Sequence, residues 1–227
     1  MTFDTAEIFP ITAGIGPGDH LTLGGCDATG LAAEFGTPLY VFDEDTLRAV
    51  SSEFVREFGS RYPSTKVLYA SKAYIGLALA RLLHEEGLGL DVVSGGELAM
   101  ALAAGIPAED IYFHGNNKSP SELEMALDRG VGRVVVDGFL EIEMLDALAG
   151  ARGMTQDILL RVSPGIDPHT HAKTTTGILD SKFGLSIETG DATIAISQAI
   201  AASNLDLVGI HFHLGSPIFE LEPYSIA

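Results

Sequence analysis

The sequence predicts an α/β fold, a (β/α)8 TIM-type barrel of which about six β/α repeats lie within the 227 residues. Three observations lead there. Short apolar runs rich in Val, Ile and Leu begin near residues 67, 89, 111 and 133, the spacing of β-α units in a parallel sheet covered on both faces. Amphipathic helical patterns stand between the runs, each with a glycine near its end: Gly87, Gly105, Gly130 and Gly150. No G-x-G-x-x-G follows the first repeated strand, where Ala-Ser-Lys-Ala-Tyr stands instead. That counts against the other architecture of this pattern, a doubly wound dinucleotide-binding sheet.

Residues Met1 to Gly36 show weak periodicity and many glycines. Thr37–Phe42, T-P-L-Y-V-F, reads as a strand, and a helix follows from Asp43 or Glu44 to about Phe58, with Thr46, Leu47, Val50 and Phe54 at helical spacing. The repeats then run as strand Val67–Ala70, helix Ile75–Glu86; strand Gly89–Val93, helix Gly96–Ala104; strand Ile111–His114, helix Ser119–Arg129; strand Arg133–Val136, helix Leu140–Ala149; strand Ile158–Val162, a long loop, helix Asp191 to about Ala202; and strand Leu207–His213. Ser119 is placed to cap its helix, with Pro120 at the first helical position.

Composition narrows the function. With 46% hydrophobic residues the chain can bury a sizeable core. A net charge of −18 argues against nucleic acid and against anionic membrane surfaces. The single cysteine, Cys26, cannot form an internal disulfide, which fits a reducing compartment. Acids stand at the N-terminus where a signal peptide needs basic residues, and no apolar run approaches membrane-span length, so a soluble cytoplasmic protein is expected.

Barrel enzymes place their chemistry at the C-terminal ends of the strands. Here Lys72 follows the first repeated strand, Asp91 lies in the second, and His114, Asn116 and Asn117 end the third. Asp137 ends the fourth, Arg161 lies near the end of the fifth, and His211, His213 and Ser216 end the sixth. Each has a plain alternative. Asp91 alone reads as a structural carboxylate, Arg161 as a partner for a buried acid, and Gly215–Ser216 as a tight turn as readily as a phosphate cradle. Of His211 and His213, one is expected to face the barrel mouth and the other to face away, so no metal is expected on this pair. His169 and His171 lack further spaced ligands for zinc. They lie in Ser163–Gly184, a loop long enough to serve as a lid.

A lysine, an aspartate, an arginine, an imidazole and a phosphate cradle suit pyridoxal phosphate, whose aldehyde a lysine amine attacks and whose ring accepts electrons. The same residues suit an aldolase lysine without cofactor, and spacing does not separate the two.

Longer stretches add a resemblance. Y-A-S-K-A, G-L-D-V-V-S-G-G-E-L, H-G-N-N-K-S, L-R-V-S-P-G-I-D-P-H-T-H, D-S-K-F-G-L and G-I-H-F-H-L-G-S-P-I-F resemble the diaminopimelate decarboxylases, within the barrel-fold pyridoxal-phosphate decarboxylases and alanine racemases. The resemblance begins at T-P-L-Y-V-F-D and runs almost to the end of the chain. It implies Lys72 as the Schiff-base lysine, Asp91 near the cofactor ring, His213 stacked on the ring face, Arg161 beneath the ring and Ser216 on the phosphate. It implies loss of carbon dioxide from meso-2,6-diaminopimelate to give L-lysine, in a homodimer. Related basic amino-acid decarboxylation, or cofactor binding without catalysis, are its alternatives. Tyr74, Ser163 and Pro217 depart from the family pattern, where asparagine, asparagine and glutamine are usual; Pro217 also removes a backbone donor beside the phosphate position. By the same resemblance residues 1–44 contribute a strand to a β-domain whose C-terminal body is absent here, and residues 45–227 form a partial cofactor-binding barrel. The chain is therefore expected to be truncated and poorly active alone.

Overall fold

The computed structural model describes residues 8–166, 182–216 and 218–227. They divide into two compact units. One comprises the described residues up to Leu68 with Arg81–Leu88; the other comprises Tyr69–Ala80 and Gly89–Ala227.

The first unit holds a small antiparallel sheet of β1 (Gly14–Ile15), β2 (Leu21–Leu23) and β3 (Cys26–Asp27). Asp27 caps α1 (Ala28–Phe35) by accepting the Thr29 and Gly30 amides, and Asp43 caps α2 (Glu44–Arg61) by accepting the Thr46 amide at 2.8 Å. Arg48 of α2 forks onto Glu44, Glu85 and Glu86. Residues 37–42 do not form the expected strand. Their β-prone composition joins no sheet ladder, and Leu39, Tyr40, Val41 and Phe42 are exposed, Tyr40 by 90%. Strand propensity expresses itself only where a neighbouring strand supplies hydrogen bonds and a packed face.

The repeats appear as β4 (Leu68–Ala70), α3 (Leu77–Glu85), β5 (Gly89–Val92), α4 (Gly95–Ala103), β6 (Ile111–Phe113), α5 (Pro120–Arg129), β7 (Arg133–Val136), α6 (Phe139–Ala151), β8 (Gln156–Ser163), β9 (Leu185–Ser186), α7 (Asp191–Ala201), β10 (Leu205–His211) and α8 (Glu222–Ile226), all in the second unit except Leu68 and the Arg81–Glu85 part of α3. The sheet order is β10-β8-β7-β6-β5-β4, with β9 beside β8. Registers such as Leu90↔Ile111, Val134↔Ile158 and Leu207↔Ile158 are parallel. Apart from the short β9, each strand pairs with the next in sequence. A doubly wound sheet reverses its order at a switch point; this one never does, which is the wall of a barrel.

Two apolar clusters fill the layer between strands and helices. Leu90, Val92, Ile111 and Phe113 meet Leu98 and Ala101, while Val134, Val136, Ile158 and Leu160 meet Leu123, Ile142, Leu145, Ala195 and Ala199. Alternate residues of the strands turn toward these helices, which sends the others toward the barrel interior. Ser119 caps α5 in a full capping box with Glu122, and Pro120 opens the helix as expected. Gly150 stands near the end of α6 as expected, one residue before its last, while the positive φ after the helix belongs to Gly153. Gly150 instead admits Asn204, whose amide nitrogen would lie 2.7 Å from an added Cβ.

Candidate active site

The C-terminal ends of the strands open on a cleft of about 530 Å³. Lys72 reaches it from the short 3-10 turn Ser71–Ala73 after β4. Asp91 reaches it from β5, His114 and Asn116 from the end of β6, Arg161 from β8, and His211, His213 and Ser216 from the end of β10. Every residue expected to touch a cofactor therefore lines one cavity, although Asp91 and Ser216 lie 125 positions apart in sequence. Lys72 is exposed, so its amine is accessible.

The histidines correct the expectation of opposite faces. Residues i and i+2 of a strand share a face, and both His211 and His213 line the cleft. Burial and the nearby Arg161 hold each imidazole down to about 4, so both are neutral at neutral pH. The His114 ring meets the His211 ring edge-on, 4.8 Å between centroids, and burial keeps it neutral too. Burial pushes the Asp91 carboxyl up to about 6 against the opposing pull of Lys72.

Arg161 is held from two sides. Its Nη1 lies 3.6 Å from Asp137 Oδ2, and its guanidinium sits 4.4 Å over the Phe183 ring. Asp137 does not line the cleft; it accepts the Gly184 amide at 2.7 Å. Asn116 donates its side-chain amide to the Lys182 carbonyl at 3.0 Å. Three strand ends thus grip residues 182–184. Phe183 is a cleft residue that sequence reading missed, though the motif D-S-K-F-G was noticed. Residues 167–181 of the long loop, with His169 and His171, and Pro217 lie outside the described residues.

Comparison with known proteins identifies the frame. The pyridoxal-binding domain of the pyridoxal-dependent decarboxylases matches residues 47–227. The chain belongs to this family. Pyridoxal phosphate is accordingly its cofactor. Among curated proteins the chain is 48% identical over 208 residues to the diaminopimelate decarboxylase of Bacillus subtilis, covering 92% of this chain and 47% of that one. It is 48% identical over 205 residues to that of Mycobacterium tuberculosis, covering 90% and 45%. Among solved structures, the diaminopimelate decarboxylase of M. jannaschii in co-complex with L-lysine superposes with a TM-score of 0.84 at 35% identity, over 94% of this chain and 50% of that one. The chain spans about half the length of the curated relatives it matches.

The cleft of this family member suits the cofactor. Asp91 Oδ1 and His211 Nδ1 are buried polar atoms without a hydrogen-bond partner among the described residues, both on cleft residues. Buried polar atoms left unpaired are costly, and a ligand with polar ring substituents answers that cost. An accessible amine, a hydroxyl after a strand and a fixed cation complete the donor set for an aldehyde-bearing phosphate ester.

Proposed function

We propose that this chain forms the pyridoxal-phosphate-binding half of an enzyme that converts meso-2,6-diaminopimelate to L-lysine and carbon dioxide. The observation that carries the reading is the convergence of Lys72, Asp91, Arg161, His213 and Ser216 on one cleft at the strand ends. The names of the relatives at 48% identity support the substrate.

Lys72, Asp91, Arg161, His213 and Ser216 would hold the cofactor. When bound, pyridoxal phosphate supplies an electron-withdrawing ring that takes up the electron pair released as carbon dioxide leaves. The chain's own contribution is placement. Lys72 offers a primary amine as nucleophile. Ser216 offers a hydroxyl and its neighbouring backbone to a phosphate. His213, kept neutral by burial, presents a flat imidazole rather than a competing cation. Arg161 keeps a fixed positive charge, because a guanidinium is not deprotonated in proteins even where burial lowers its pKa. Asp91 is mostly ionised at neutral pH and balances Lys72 and Arg161.

In this reading residues 1–44 serve a separate β-domain and residues 45–227 the barrel. The enzyme works as a homodimer in the cytoplasm; the lone Cys26 is consistent with a reducing compartment.

The test is borohydride reduction of protein loaded with pyridoxal phosphate, followed by peptide mass mapping. The cofactor mass is expected on Lys72; a label found elsewhere, or none, overturns the assignment. Carbon dioxide release from meso-diaminopimelate, lysine and ornithine then decides the substrate. Release from lysine or ornithine alone identifies a related basic amino-acid decarboxylase. A labelled Lys72 without turnover identifies a cofactor-binding protein that does not catalyse.

A further inference from the structure

A second lysine lies outside the roles above. Lys118, in the loop between β6 and α5, is only 5% exposed. Lysines are almost never buried without a charged partner. Its ammonium has three donors, and all three are committed: to the Gly115 carbonyl at 2.7 Å, the Val135 carbonyl at 2.7 Å and Glu141 Oε1 at 2.6 Å. These acceptors come from three places, the turn after β6, the strand β7 and the first turn of α6. Glu141 uses its second oxygen to accept the Asp137 amide at 3.2 Å. One buried ion pair therefore ties the end of β6 to the end of β7.

The β6 end lines the cleft, whereas the β7 end bears on it only through Arg161, which Asp137 faces. Gly115 is itself a lining residue. Its φ of +112° leaves that turn little alternative to glycine. Asp137 receives Gly184 and faces Arg161. Burial lowers the pKa of Lys118 and raises that of Glu141, each opposed by the partner's charge.

We propose that Lys118 and Glu141 are a positioning pair: they set the β6 and β7 ends so that Asp137 docks Gly184 and presents Arg161 to the cofactor. The cofactor part of this statement rests on the functional reading above; the docking of Gly184 does not. Position and stability are separable here. Replacing a buried ion pair by apolar residues of similar volume is often neutral or stabilising, whereas removing one partner strands a charge.

The test uses the full-length protein with Lys118→Met/Glu141→Leu, read by thermal unfolding, by hydrogen exchange at the Gly184 amide and by fluorescence titration with pyridoxal phosphate. The expected result is a melting temperature within a few degrees of the parent, Gly184 exchange at least about tenfold faster and a Kd for pyridoxal phosphate at least about tenfold weaker, as misplaced site groups commonly cost. Unchanged Gly184 exchange overturns the proposal. Faster exchange with an unchanged Kd overturns its reach to the cofactor. If the double variant does not fold, Glu141→Gln, which keeps the shape, is measured instead. Its Gly184 exchange is expected to rise at least about threefold as the docking loosens, and no change overturns the proposal. Parent protein that binds no pyridoxal phosphate overturns the functional reading alone, since Gly184 exchange still decides the positioning.

Discussion

Asp91 Oδ1 lies 3.8 Å from His114 Nε2, and the two do not form an ion pair, because burial holds the His114 imidazole neutral well below its ordinary pKa. The Asp91 carboxylate is thus buried, and that oxygen has no hydrogen bond among the described residues. Its pKa is raised to about 6, so the folded protein keeps a proton that the unfolded chain releases. The resulting cost is absent below the unfolded value of 3.8 and full above about 6. Asp91→Asn is therefore expected to stabilise the protein at pH 7, by on the order of 2 kcal/mol. The gain vanishes near pH 4. Urea unfolding of cofactor-free protein at both pH values checks this.

His211 and His213 have the opposite sign. Their pKa values are depressed to about 4 from 6.5, so the unfolded chain binds more protons between those values. Their stability contribution is complete above pH 6.5 and is lost as pH falls toward 4. Melting temperature is expected to drop across that window. His211→Asn is expected to flatten the drop, and Asp91→Asn to steepen it, which a melting series from pH 7.5 to 4 measures.

Lys72→Ala is expected to abolish borohydride-fixed pyridoxal phosphate while lowering stability at pH 7 by only about 0.5–1 kcal/mol, since the exposed side chain leaves no cavity and what is lost is its charge opposite the buried Asp91 carboxylate. Mass spectrometry and a melting curve together separate loss of the nucleophile from loss of the fold.

Gly184 has φ +75°, and an added Cβ would stand 3.2 Å from the Val162 carbonyl carbon and 3.3 Å from Arg161 Cγ. Both features disfavour a side chain. Gly184→Ala is expected to cost about 1–3 kcal/mol in urea unfolding and to weaken pyridoxal phosphate binding through the displaced Arg161.

Phe113 is fully buried in the cluster with Leu90, Leu98 and Ile111. Phe113→Ala is expected to cost about 3–5 kcal/mol, because β6 sits in mid-sheet with little freedom to collapse into the void. Phe54→Ala, on a residue 51% exposed, is expected to cost far less in the same assay.

The sequence by itself determined the repeat. Apolar runs at even spacing, helix caps such as Ser119 with Pro120 and the polar residues at strand ends are local signals that put Lys72, Asp91, Arg161, His213 and Ser216 among a wider set of strand-end candidates, and the family resemblance picked out those five. Only the tertiary structure decided which neighbours complete the site. It put His211 beside His213 on the cleft, seated Phe183 against Arg161 and Gly184 on Asp137, and buried Lys118 against Glu141, 23 positions away. It also left Thr37–Phe42 without a strand's ladder. The reason is range. Periodicity and capping act within a few residues of chain, whereas a buried ion pair or a cation over a ring depends on two distant segments meeting, and neither residue carries a mark of its partner.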